Sequence, residues 1–182
     1  MVAGGLLPAL FLVTGAFTDR LGANPVEAIT HTTGEWTLRF LVATLAITPL
    51  RRLFSWRLVA PYRRSFGLLA FFYACLHFAT YLVLDLGLEP ALLVEDVLER
   101  PFVTAGFTGL VCMVPLALTS TRAMARRLGR RWKTLHRLAY VAGVCGVVHF
   151  LWLVKADLRE PLVYAVLVGG LLALRLGWWL RS

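Results

Sequence analysis

Long apolar runs separated by short polar segments occupy almost the whole chain. Six of them, residues 2–17, 36–53, 65–88, 102–119, 135–154 and 162–180, approach the length of a membrane crossing. A hydrocarbon core about 30 Å thick takes roughly 20 mostly apolar residues in a helix. Each run is bounded by charges, Pro or Gly, which stop helices or mark turns. The pattern therefore predicts an all-α fold, a polytopic membrane helix bundle with six transmembrane helices. No internal repeat and no low-complexity segment stands out. No linker is long enough to separate a second domain, so residues 1–182 read as one domain. The first run lacks the basic n-region of a signal peptide, and Gly15-Ala16-Phe17-Thr18 makes a poor cleavage site, so it reads as a retained helix.

Composition agrees with the pattern. Apolar residues are 59% and charged residues 16% of the chain, with a mean hydropathy of +0.72. A soluble domain carries about 45–50% apolar and about 25% charged residues. A water-soluble globule, a disordered chain, collagen and a disulfide-rich secreted scaffold are all excluded. The net charge of +9 would suggest nucleic acid on a soluble protein, but here the placement of the charges decides their meaning.

The placement is sharply segregated. Arg51, Arg52, Arg57, Arg63 and Arg64 lie between runs two and three. Arg122, Arg126, Arg127, Arg130, Arg131, Lys133 and Arg137 lie between or at the edge of runs four and five, and Arg175 and Arg181 close the chain. No carboxylate accompanies them. All the acids, from Asp19, Glu27 and Glu35 through Asp85–Glu99 to Asp157 and Glu160, fall at the opposite ends of the runs. The positive-inside rule then puts both termini in the cytoplasm and the acidic loops outside. An odd number of spans would scramble the segregation.

Candidate chemistry rests on histidine. His77, His136 and His149 fall inside predicted spans, where an ionisable ring is costly and faces the bundle interior. At 1.5 Å per residue, His77 lies about 20 Å from Arg64, and His149 about 21 Å from Leu135. Runs three and five point the same way, so the two rings can meet at one level in the outer half. One imidazole from each of two helices is the ligand set of bis-histidine b-type haem. His136 lies thirteen residues before His149, about 20 Å lower, where a second haem would need it. On an ideal helix thirteen residues do not aim both rings in one direction, and the matching level of run three holds Arg63 and Arg64. Without haem, zinc or iron would want further ligands, often a carboxylate, and no Asp or Glu lies inside a span.

The remaining residues add less. His31 reads as a residue of the outer loop before run two. Arg39, about one turn into that run on the outer side, is a natural partner for a haem propionate. Cys75, Cys112 and Cys145 sit in apolar runs without CxxC or CxxCH spacing and read as packed side chains. The six tryptophans read mostly as interfacial anchors.

The segments His31-Thr-Thr-Gly-Glu-Trp36, Leu45-Ala-Ile-Thr-Pro-Leu50, Cys75-Leu-His-Phe-Ala-Thr-Tyr81, Leu118-Thr-Ser-Thr-Arg-Ala-Met124, Leu128-Gly-Arg-Arg-Trp-Lys-Thr-Leu-His136 and Val148-His-Phe-Leu-Trp152 stand in fixed order along the chain. Together they resemble the bacterial MsrQ (YedZ) family. The resemblance runs in order from about residue 22 to residue 164. That family is the haem-binding membrane subunit of the periplasmic methionine sulfoxide reductase system, within a ferric-reductase-like transmembrane group that includes NADPH oxidases. It implies that electrons from the quinone pool, or from a cytosolic flavin reductase, cross the bacterial inner membrane through haem b. FMN is implied as a further cofactor, and a periplasmic molybdenum-cofactor reductase subunit as the acceptor. By motif, His77, His136 and His149 correspond to the family's haem ligands. NADPH oxidases carry a further histidine near the position where Arg63 or Arg64 stands here.

Nothing in the chain resembles a nucleotide-binding domain or a bond-making active site, so an electron-transfer subunit is the leading expectation. The competing classes are a small transporter whose buried histidines relay protons and a membrane anchor without redox activity.

Overall fold

The computed structural model describes residues 2–181. Among them the chain is helical throughout, without a strand. The α-helices are α1 (Val2–Gly5), α2 (Leu7–Phe17), α3 (Pro25–Leu53), α4 (Tyr62–Thr80), α5 (Pro90–Glu99), α6 (Pro101–Leu118), α7 (Arg122–Leu128), α8 (Arg130–Leu135), α9 (Leu138–Leu153) and α10 (Arg159–Leu180). A π-helical turn, Tyr81–Asp85, prolongs α4.

Among the described residues, four stretches are long and apolar enough to cross a membrane: Tyr62–Asp85, Pro101–Leu118, Arg130–Leu153 and Arg159–Leu180. Their outward faces carry hydrocarbon rather than charge. On α10, Leu162, Val163, Val166, Leu167, Leu174 and Leu176 are all exposed. Water does not tolerate so continuous an apolar surface, whereas lipid requires it. The molecule is a multi-pass membrane protein.

The two other predicted spans differ from expectation. The first is interrupted at Leu6, leaving an eleven-residue apolar α2. The second is longer and more polar than the apolar run alone suggested. Asn24 accepts from the Glu27 backbone N–H and its amide donates back to the Glu27 carboxylate, while Pro25 fills the first helical position. That reciprocal cap starts α3 well outside the apolar run and carries its 29 residues past His31, which is helical rather than in a loop.

The core forms where α3, α4, α6 and α9 converge, around Phe40, Leu41, Leu69, Ala70, Tyr73, Ala74, Met113 and Ala142. Trp36 belongs to this cluster, its ring 5.3 Å from Phe40 and 6.3 Å from Tyr73, and is not an interfacial anchor. Tyr73 is fully buried and ties the N-terminus to α4. Its hydroxyl donates to the Gly5 carbonyl at 2.8 Å and accepts from the Ala9 N–H at 3.1 Å.

One charged side chain closes a gap made by a proline. Pro49 lies inside α3 and has no N–H to give the carbonyl of Leu45 four residues earlier. Arg175 of α10 donates to that carbonyl through Nη2 and to the Tyr140 hydroxyl through Nη1, with its guanidinium 4.7 Å from the Tyr140 ring centroid. The arginine thereby joins α10 to α3 and α9.

Candidate functional site

The fold brings the rings of His77 of α4 and His149 of α9 together across the bundle. Their ring centroids are 6.0 Å apart and their planes cross at 83°. Each ring is oriented in the same manner. His77 Nδ1 donates to the carbonyl of Thr30 at 3.0 Å, and His149 Nδ1 donates to the carbonyl of Phe102 at 2.7 Å. A proton held on Nδ1 leaves the Nε2 lone pair free, which is the arrangement that prepares a histidine for a metal.

A glycine makes room for each ring. A Cβ on Gly34 would lie 3.2 Å from His77 Cε1, and one on Gly106 would lie 2.7 Å from His149 Nδ1. Gly34 and Gly106 each follow, by one helical turn, the residue whose carbonyl holds the ring. Donor, acceptor and glycine thus recur as a unit.

The recurrence has a fixed period. His77 is 47 residues from Thr30, and His149 is 47 residues from Phe102. A shift of 72 residues takes 30 to 102, 34 to 106 and 77 to 149. The same shift relates other members of the core, Leu41 to Met113 and Ala70 to Ala142. The helix pair α3–α4 and the pair α6–α9 are therefore two versions of one half-site, a repeat that the sequence reading did not detect.

Between the halves lies a cavity of about 1030 Å³. Its walls are apolar in depth, with Leu38, Leu41, Phe78, Leu110, Met113 and Phe150 among the lining residues. Polar groups gather near the start of α3 and around α5: Glu27, His31, Glu35, Asp85, Glu95, Asp96 and Arg100 line the wall there. Thr30 Oγ1 is buried without a partner in the same wall.

These features suit a flat apolar ligand with a polar edge and a metal at its centre. Two imidazoles bound through Nε2 to one ion at about 2 Å would have centroids roughly 6 Å apart. Planes that share a metal–nitrogen axis can take any angle about it. Among the described residues no three His, Cys, Asp or Glu side chains converge as ligands for a bare ion. The pair matches a macrocycle that brings its own equatorial donors.

Comparison with known proteins places the chain. It matches the family described as ferric reductase like transmembrane component over residues 33–147. The protein-methionine-sulfoxide reductase heme-binding subunit MsrQ of Ralstonia nicotianae is 52% identical over 177 residues, covering 96% of this chain and 81% of the relative. The chain belongs to the MsrQ family. The MsrQ proteins of Herminiimonas arsenicoxydans and Brucella anthropi are 49% and 48% identical, covering 95% and 97% of this chain and 81% and 80% of theirs. No solved structure matches.

The other site residues anticipated for an MsrQ protein are placed apart from the facing pair. His136 is not within a continuous fifth helix. It caps α8, and α9 begins two residues later, so the thirteen-residue spacing to His149 is not that of one helix. Its ring stacks on Trp132 at 3.9 Å, and its Nε2 is 3.1 Å from Thr119 Oγ1. The 72-residue shift leads from Arg64 to His136, so the repeat offers no imidazole opposite it. Arg63 is half-buried and Arg64 exposed at the start of α4, and neither lines the cavity. Arg39 is engaged by Glu35 at 2.6 Å and lies 4.9 Å from the Trp36 ring centroid, outside the cavity wall. The guanidinium in that wall is that of Arg100, which sequence reasoning passed over because it falls in the supposed loop. The cysteines are free and half-buried.

Proposed function

We propose that the chain is the haem b subunit of a methionine sulfoxide reductase system in the bacterial inner membrane, in which His77 and His149 would hold the haem iron. The observation that carries this reading is the facing imidazole pair, each Nδ1 held by a main-chain carbonyl. The relatives are heme-binding subunits of protein-methionine-sulfoxide reductase, which supports the same cofactor and the same system.

Haem supplies one-electron chemistry at an iron of adjustable potential. The protein's part is to bind, orient and insulate. Thr30 and Phe102 fix the tautomer of each ring, Gly34 and Gly106 admit the rings, and the apolar wall lowers the dielectric. Arg100 is the wall's guanidinium available to the macrocycle's carboxylates.

In this reading the bundle crosses the membrane six times, with α1–α2 and α3 completing the spans and both termini in the cytoplasm, as the charge segregation requires. The acid-rich mouth then faces the periplasm, where a molybdenum-cofactor reductase subunit takes the electrons. Quinol or a cytosolic flavin reductase supplies them. FMN, implied by the family resemblance, would meet the basic side, where Arg51, Arg63 and Arg64 have no carboxylate partner among the described ion pairs. One haem is proposed, because His136 and its counterpart Arg64 do not form a second facing pair.

The test is spectroscopic. Protein purified in detergent from haem-replete cells should give a reduced-minus-oxidised haem b spectrum with one haem per chain. His77→Ala and His149→Ala should each remove most of it. Folded protein without haem would instead favour a proton relay through the histidines. Paired helix repeats also occur in transporters. A relay, however, needs a continuous hydrogen-bonded path, and here both Nδ1 protons end on backbone carbonyls.

A further inference from the structure

Asp96 stands out among the acids. It is the one carboxylate that is buried among the described residues, 9% exposed. Removing a carboxylate from water is costly unless its oxygens are engaged, and here both are. Oδ2 accepts from the Tyr81 hydroxyl, and Oδ1 pairs with Arg100 Nε at 3.1 Å.

The two partners belong to different halves of the repeat. Tyr81 opens the π-helical turn directly after α4, one helical turn beyond His77. An extra residue per turn widens the helix locally, a feature often found beside functional sites. Arg100 ends α5 and precedes α6, its own N–H bonded to the Asp96 carbonyl and its carbonyl accepting from the Thr104 N–H. Two residues further on lies Phe102, whose carbonyl orients His149. Asp96 itself lies on α5, the segment that joins one half-site to the other. The 72-residue shift takes Tyr81 to Leu153, so the clasp has no counterpart within the repeat.

We propose that Asp96 is a positioning residue that sets the separation and mutual orientation of the two axial histidines, acting on His77 through Tyr81 and on His149 through Arg100 and the first turn of α6. The proposal rests on the bis-histidine haem reading. Two ligands on separate halves hold one iron well only if the halves keep register, and direct hydrogen-bond partners of a ligand commonly change metal affinity roughly 10- to 100-fold when removed, so a residue one step further out falls at the low end of that range.

The experiment compares wild type with Asp96→Asn, Asp96→Ala, Tyr81→Phe and Arg100→Gln, each purified in detergent. The readouts are haem content, the rate of haem loss to an acceptor globin, and the ferric electron paramagnetic resonance signature. Asn keeps an acceptor for Arg100 and a polar contact for Tyr81 while removing the charge. The expected result is a wild-type-like signature for Asp96→Asn, and a shifted signature with roughly 10-fold faster haem loss for Asp96→Ala. Tyr81→Phe and Arg100→Gln, which each cut one arm, should fall between. Tyr81→Phe carries the test if Asp96→Ala does not fold, because Tyr81 touches the clasp alone whereas Arg100 is also placed at the macrocycle's carboxylates. An unshifted signature in Asp96→Ala, or in both single-arm variants, overturns the proposal. So does an Asp96→Asn shift as large as that of Asp96→Ala. Wild-type protein without haem would instead overturn the ligand assignment beneath it.

Discussion

Gly106 lies so close to His149 that a Cβ there would fall 2.7 Å from Nδ1, whereas the Cβ equivalent at Gly34 would meet the His77 ring at 3.2 Å. The two glycines do the same task with different tolerances. Gly106→Ala must move the imidazole or the helix, and is expected to lower haem content severalfold. Gly34→Ala asks for a displacement of only a few tenths of an ångström and should retain most of the haem. Pyridine haemochrome assays of the two purified variants check the order. Equal retention would remove the steric argument.

Arg175 and Pro49 should be coupled. Arg175→Ala leaves the Leu45 carbonyl without a donor, a loss of about 1–3 kcal/mol for a buried acceptor. Pro49→Ala restores a backbone N–H at the position that normally serves that carbonyl. The double variant is therefore expected to be more stable than Arg175→Ala alone. Thermal unfolding in one detergent, run as a double-mutant cycle, measures the interaction.

His136→Ala should leave the haem spectrum of the facing pair largely unchanged. The ring's contacts are with Trp132 and Thr119, and its removal is expected to loosen the junction of α8 and α9 instead. A loss of haem equal to that of His77→Ala would return His136 to the ligand set.

Arg39→Ala is expected to change little, because a half-exposed i,i+4 pair with Glu35 contributes on the order of 0.5 kcal/mol. Midpoint potential and haem retention should match wild type, in contrast to Arg100→Gln.

Much of this was legible in the sequence. The charge segregation and the depth of His77 and His149 follow from side-chain chemistry that the sequence displays directly. The repeat was hidden for a physical reason. At Thr30 and Phe102 the working group is a main-chain carbonyl, which any residue supplies, so the side chains are free to differ. Leu41 and Met113 preserve bulk rather than identity. The outward extension of α3 was readable, since Asn24, Pro25 and Glu27 form a helix-start signature. The break before α9 was not, because no Gly, Asn or Pro stands between Thr134 and Leu138 to mark a stop.

The division of the site between two helix pairs bears on how the protein is made. Synthesis runs from the N-terminus, so the first imidazole enters the membrane 72 residues ahead of the second. A porphyrin arriving early would meet a single weak handhold. In the proposed bis-histidine site a two-sided grip would exist only once the later pair has inserted and docked, so stable haem retention would require both halves to be in place.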